Sequence, residues 1–165
     1  MTSPGPPPAS PARSALEALA PPPLDPVRRL RILAARLPHV ALAERVYDVS
    51  FERLWGFVGD LERSAPVIEL GISRAAILER EGDRLVVETR NAIGLPLRFD
   101  VELRPGWCLM QHRLGDVGMA AAPEGDGTRF AHFEGARPLG RLGRPVFARK
   151  IAGDLERIAA ALEDD

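Results

Sequence analysis

Residues 95–103 carry the strictest pattern in the chain. Leu95, Leu97, Phe99, Val101 and Leu103 alternate with Pro96, Arg98, Asp100 and Glu102. Period-two alternation with one polar face is what an antiparallel sheet covered on one side produces, and no helix can satisfy it. Shorter strands surround it. Residues 72–80 and 84–90 flank Glu81-Gly82-Asp83, a glycine loop of the kind that closes hairpins. Arg104-Pro105-Gly106 turns the chain into 108–114, and a reversal at 123–127 precedes a strand over 128–137. Upstream, residues 39–47 read as a strand, with Val40, Leu42 and Val46 on one parity.

Two amphipathic helices frame these strands. Phe51, Leu54, Trp55, Val58 and Leu61 form one stripe, Ser50 is placed to cap it, and Gly59, Ser64 and Pro66 mark its breakdown. Near the C-terminus Phe147, Ile151, Leu155, Ile158 and Leu162 step by three or four residues, and Pro145 suits the helix start. The order strand, helix, five or six antiparallel strands, long C-terminal helix predicts an α+β fold in which a curved antiparallel sheet wraps that helix.

Ten of the sixteen prolines lie in residues 1–38. Proline lacks the backbone donor, so residues 1–23 read as a flexible leader with at most a helical turn around residues 15–19. Residues 25–37 differ. Asp25-Pro26 starts a helix with Val27, Leu30, Leu33, Ala34 and Leu37 on one side and four arginines on the rest, and Pro38 stops it. Such a helix either packs on the domain or serves a membrane surface, peripherally, or a partner; packing is the expected use, because the stripe is short and lacks a large aromatic anchor. The expected boundaries are a leader over 1–38 and a folded domain over 39–165. No secretory signal is visible, so the cytoplasm is the default, and no uncharged run approaches the ~20 residues of a membrane helix. Twenty-two basic against 23 acidic residues give a net charge of −1, which offers nucleic acid no general attraction. Cys108 is the single cysteine, so no internal disulfide forms.

Residues 47–63, Tyr-Asp-Val-Ser-Phe-Glu-Arg-Leu-Trp-Gly-Phe-Val-Gly-Asp-Leu-Glu-Arg, resemble the START-like superfamily, also called SRPBCC, the polyketide cyclase/dehydrase and lipid-transport group, or the helix-grip fold. The matching positions are Leu54, Trp55 and Asp60, with Pro66 before the second strand and Gly127-Thr128-Arg129 opening a late one. The resemblance spans about residues 39–163. It implies a hydrophobic cavity between sheet and C-terminal helix, serving lipid, quinone or polyketide-like ligands in carriers, receptors and cyclases. No residue of a particular cyclase subfamily is matched.

Arginine is costly to bury unpaired. On 108–114 this favours Met110, His112 and Leu114 inside, and on 128–137 Phe130, His132 and Glu134. A bulge at Gly115 or Gly118 would flip either strand. With this parity His112, Asp116, His132 and Glu134 share one cavity wall. His112, His132 and Glu134 are then candidate acid–base groups for a cyclase, aromatase or dehydratase. They equally serve to orient a ligand, or only satisfy one another. Nothing in their spacing demands a metal, and neither metal nor cofactor is expected. The expected ligand-binding lining is Phe99, Val101, Met110, Phe130, Phe147, Ile151 and Leu155, with Trp55 nearby. Residues 138–144 read as a lid or hinge, and Arg137, Arg141, Arg144, Arg149 and Lys150 as a solvated basic helix start. The leading expectation is a binder of a small hydrophobic ligand; a cyclase-type enzyme and a partner-binding domain with a filled cavity are the alternatives. Oligomeric state is not legible.

Overall fold

The computed structural model describes residues 24–164, so the leader and its expected turn at 15–19 lie outside the described residues. The order is α1 (Pro26–Arg36), β1 (Val40–Tyr47), α2 (Phe51–Val58), α3 (Leu61–Ile68), β2 (Ile72–Glu81), β3 (Arg84–Asn91), β4 (Pro96–Arg104), β5 (Trp107–His112), β6 (Gly115–Glu124), β7 (Gly127–Ala136), a 3-10 segment (Arg137–Gly143) and α4 (Arg144–Asp164). Among the described residues seven strands form one antiparallel sheet in the order β1-β7-β6-β5-β4-β3-β2. Each neighbouring pair from β2 to β7 is a hairpin. The β1–β7 pair is the long-range one, with Val40 opposite Gly135.

The expected sheet around a C-terminal helix is present. Ile151, Leu155, Ile158 and Leu162 of α4 are buried against Leu54, Val58, Val101, Met110 and Phe130 in the larger core. Tyr47 ties β1 to this helix, its hydroxyl donating to the Leu155 carbonyl at 2.8 Å.

A second core lies on the other face. The Asp25 carboxylate accepts the Arg28 amide at 3.0 Å, Pro26 opens α1, and Val27 and Leu30 bury completely against Val40, Trp107, Ala120, Ala131 and Phe133. Gly118 makes this seating possible: a Cβ there would lie 2.5 Å from the Phe133 ring and 2.9 Å from Leu30 Cδ1. Arg31 makes a forked bond to Glu44 at 2.9 and 2.7 Å, and Arg29 stacks 4.6 Å from the Trp107 ring centre. The apolar face that α1 would offer a membrane is therefore turned onto the sheet.

One local reading is sharpened and one changes. The breakdown expected at Gly59, Ser64 and Pro66 leads into a second full helix, because Asp60 caps it by accepting the Arg63 amide at 3.3 Å. Residues 115–124, to which the pattern assigns no element, are β6; its Ala120, Ala121 and Ala122 are buried, which removes the alternation a strand with one wet face would show. Among the described residues no helix is long and apolar enough to cross a membrane.

Candidate functional site

A cavity of about 150 Å³ lies between α3 and the sheet. Leu61, Ser64, Ala65 and Ile68 of α3 form one wall; Ile72, Thr89, Leu97, Phe99, Met110, Val117 and Met119 from successive strands form the other. Glu69 and Glu134 supply its acidic end. The Ala92 amide donates to the Gly71 carbonyl at 3.0 Å, joining the β3–β4 turn to the α3–β2 turn. Leu70 and Ile93, 72% and 80% exposed, stand at this junction beside Leu95. A wider groove on β2–β5 is lined mostly by charges such as Glu79, Arg84, Asp100 and Glu102 and stands open to water, which suits no apolar ligand.

Behind the acidic end lies an ionic cluster in which His132 and Asp154 are buried and Glu69, Glu134 and Lys150 partly so. Lys150 Nζ donates to Glu134 at 2.6 Å, to Asp154 at 3.2 Å and to Glu69. Asp154 is also held by Arg157 Nη2, whose Nε donates to the Ile68 carbonyl at 2.7 Å. His132 is 1% exposed. Its Nδ1 donates to the Gly118 carbonyl at 3.1 Å, and its Nε2 stands 3.4 Å from Asp154 Oδ2 and 3.7 Å from Glu69 Oε1.

No family model and no curated protein sequence matches the chain. Solved structures do. TTHA0849 from Thermus thermophilus aligns at 21% identity and TM-score 0.54, over 76% of this chain and 94% of that one. A START superfamily protein from Mycobacterium smegmatis aligns at 20% identity and TM-score 0.50, over 76% and 95%. The Zhui aromatase/cyclase from Streptomyces sp. R1128 aligns at 15% identity and TM-score 0.53, over 76% and 94%. The chain has the START-like, helix-grip (SRPBCC) fold.

Within this helix-grip fold the sequence-derived residues separate into groups. Met110, Phe130, His132 and Glu134 share the face toward α4, as the parity argument expects, and Phe99 and Met110 line the cavity. Val101, Phe130, Ile151 and Leu155 are instead packed in the core, and Phe147 is partly buried against it. Trp55 stacks on Phe51 with ring centres 6.4 Å apart. The cavity is thus gripped by α3 rather than by α4.

Asp116 corrects the shared-wall expectation. It lies on the opposite face, where its carboxylate accepts from Arg137 at 3.0 and 2.8 Å and from Gln111 at 3.3 Å, and meets His39 Nε2 at 2.7 Å. Val117, its neighbour, takes the inward position. His112 ends β5 with its ring 5.7 Å from Phe99, and its Nδ1 accepts the Leu114 amide at 3.2 Å; it is not part of the His132 cluster. Of the expected basic patch, Lys150 turns inward and Arg137 pairs with Asp116, while Arg141, Arg144 and Arg149 are exposed.

Burial and the carboxylates compete at each group of the cluster. Burial opposes charge on His132, but Asp154, Glu69 and Glu134 outweigh it and raise its pKa. Burial raises the Glu134 carboxyl, Glu69 adds to this, and Lys150 only partly offsets them. Burial also pushes Asp154 upward, yet His132 and Lys150 hold it below its ordinary value. Lys150 stays protonated, since Glu69 and Glu134 more than offset its burial. It stays charged here and is not a nucleophile.

Asp116 gives a pH test of the outer face. Burial raises its pKa, but bonds from Arg137, His39 and Gln111 prevail and depress it. A depressed carboxylate contributes stability above its unfolded pKa, and that contribution fades as pH falls through the folded value. Asp116→Asn is therefore expected to be less stable than wild type at pH 7 in urea titrations, with the gap closing below about pH 4. A gap that persists unchanged to about pH 2.5 would mean that the ion pairs contribute nothing.

Proposed function

We propose that this helix-grip domain binds a small, largely apolar ligand carrying one hydrogen-bonding group, in the cavity between α3 and the sheet. One observation carries the reading: an apolar chamber whose polar lining gathers Thr89, Glu69 and Glu134, with the buried Thr89 hydroxyl lacking a hydrogen-bond partner. A ligand hydroxyl, carbonyl or amine meets that need. Sites for drug-sized ligands run to roughly 300–1,000 Å³. About 150 Å³ suits a single ring, since an engineered apolar void of about that size takes up benzene. Longer ligands would extend through the apolar junction at Leu70, Ile93 and Leu95.

The first experiment is native mass spectrometry of freshly purified protein, with identification of any adduct, followed by ligand-observed NMR with p-cresol. Val117→Phe, which fills the chamber, is expected to weaken p-cresol at least tenfold while the thermal midpoint stays within about 4 °C. Undiminished binding in Val117→Phe would place the ligand elsewhere. A clean apo mass together with no p-cresol binding would leave the partner-binding alternative.

Acid–base turnover is the second reading, favoured by the raised pKa of Glu134 at the cavity wall. Its check is exchange of α-deuterium from a bound ketone, lost in Glu134→Gln with binding retained.

A further inference from the structure

We propose that Glu69, His132, Glu134 and Asp154 form a site for a divalent transition ion of the zinc, manganese or ferrous class, and that the Lys150 ammonium is its built-in competitor. It shares Glu69 and Glu134 with the wall of the small-ligand cavity but does not rest on that reading.

The four residues converge from three elements. Glu69 ends α3, His132 and Glu134 lie two apart on one face of β7, and Asp154 lies on α4. One ligand atom from each lies within 4.8 Å of every other. Metal bonds of about 2.1 Å set tetrahedral ligand atoms about 3.4 Å apart, so adjustments below ~1 Å per side chain close the site.

Carboxylates alone would not point to a metal. His132 does. Lys150 has three N–H donors and directs them at the three carboxylates. His132 Nε2 is fully buried, makes no well-directed hydrogen bond, and faces the same carboxylates, 3.4 Å from Asp154 Oδ2 and 3.7 Å from Glu69 Oε1. Its Nδ1 is committed to the Gly118 carbonyl, the outer bond that orients a metal-bound histidine. An ion in the ammonium's place would use the carboxylates and the imidazole together. The imidazole also selects against magnesium and calcium, which prefer oxygen alone.

Lys150 can yield. It lies on the second turn of α4 with its side chain 25% exposed, so its long stem can carry the ammonium out to water without moving the backbone. Asp154 would keep Arg157 on its other oxygen.

The test is calorimetric titration of the chelator-stripped full chain with Zn²⁺. The expected result is one equivalent bound, with affinity at least tenfold weaker in His132→Gln and at least tenfold tighter in Lys150→Gln, fold being checked by circular dichroism. Pulsed EPR of wild-type protein loaded with one equivalent of Mn²⁺ is expected to show a directly bound imidazole nitrogen. This arm needs no variant. Failure of wild type to bind one equivalent below millimolar Zn²⁺ overturns the proposal. So does an Mn²⁺ spectrum without nitrogen coupling, or a folded His132→Gln that binds as wild type does. p-Cresol binding is read separately, so either proposal can fail alone.

Discussion

Replacing Lys150 by methionine is expected to lower folding stability by about 3 kcal/mol at pH 7, measured as the urea midpoint. The methionine keeps the stem and removes the charge. Three carboxylates then face one another behind the cavity, with side-chain exposures of 18% for Glu69, 15% for Glu134 and none for Asp154. Breaking a buried pair by removing one partner costs about 3–5 kcal/mol; Lys150 is partly solvated, which favours the lower end. The sign with pH is fixed. Burial and Glu69 already raise the Glu134 carboxyl, and without the ammonium that offsets them it favours protonation in the folded state still more, so the deficit should shrink from pH 7 to about pH 5. A loss under about 1 kcal/mol at both pH values would show a cluster already neutralised by water.

Phe133→Ala is expected to cost about 4 kcal/mol, within the ordinary range for deleting a buried phenylalanine. Phe133 is fully buried in the outer core, beneath α1 and against Gly118. The loss should be accompanied by faster amide exchange along residues 26–36, since Val27 and Leu30 lose the surface they cover. The control is Leu142→Ala, 92% exposed, which should fall within about 0.5 kcal/mol of wild type. Equal effects of the two changes would mean that α1 only rests on the sheet.

The inner surface was legible because strands with one charged parity declare their orientation. Met110, Phe130, His132 and Glu134 follow from arginine avoidance alone. That argument failed at Asp116, whose charge is buried on the outer face by Arg137, Gln111 and His39. These partners come from three separate segments, and nothing local announces them. Glu69 and Asp154 were missed for a related reason. One ends a short helix and the other sits among α4's charges, so each looks like solvated surface until β7 and Lys150 are placed beside it. Even β6 hid, because small residues that admit α1 and Phe133 closely also erase the period a strand is read by.

The pairing of β1 with β7 also bears on how the chain is made. Val40 meets Gly135, and the apolar side of α1 needs Ala120, Ala131 and Phe133. Synthesis proceeds at about 5–20 residues per second, so Val40 waits roughly 5–20 s for its partner. During that interval an amphipathic helix and an eight-residue strand emerge from the ribosome with nothing to cover them. The β2–β5 hairpins, whose contacts are local, can form first, and the N-terminal segment closes the sheet last. Nascent chains stalled before residue 127 should therefore be the ones that chaperones hold and proteases cut, with the vulnerable bonds between Asp25 and Tyr47.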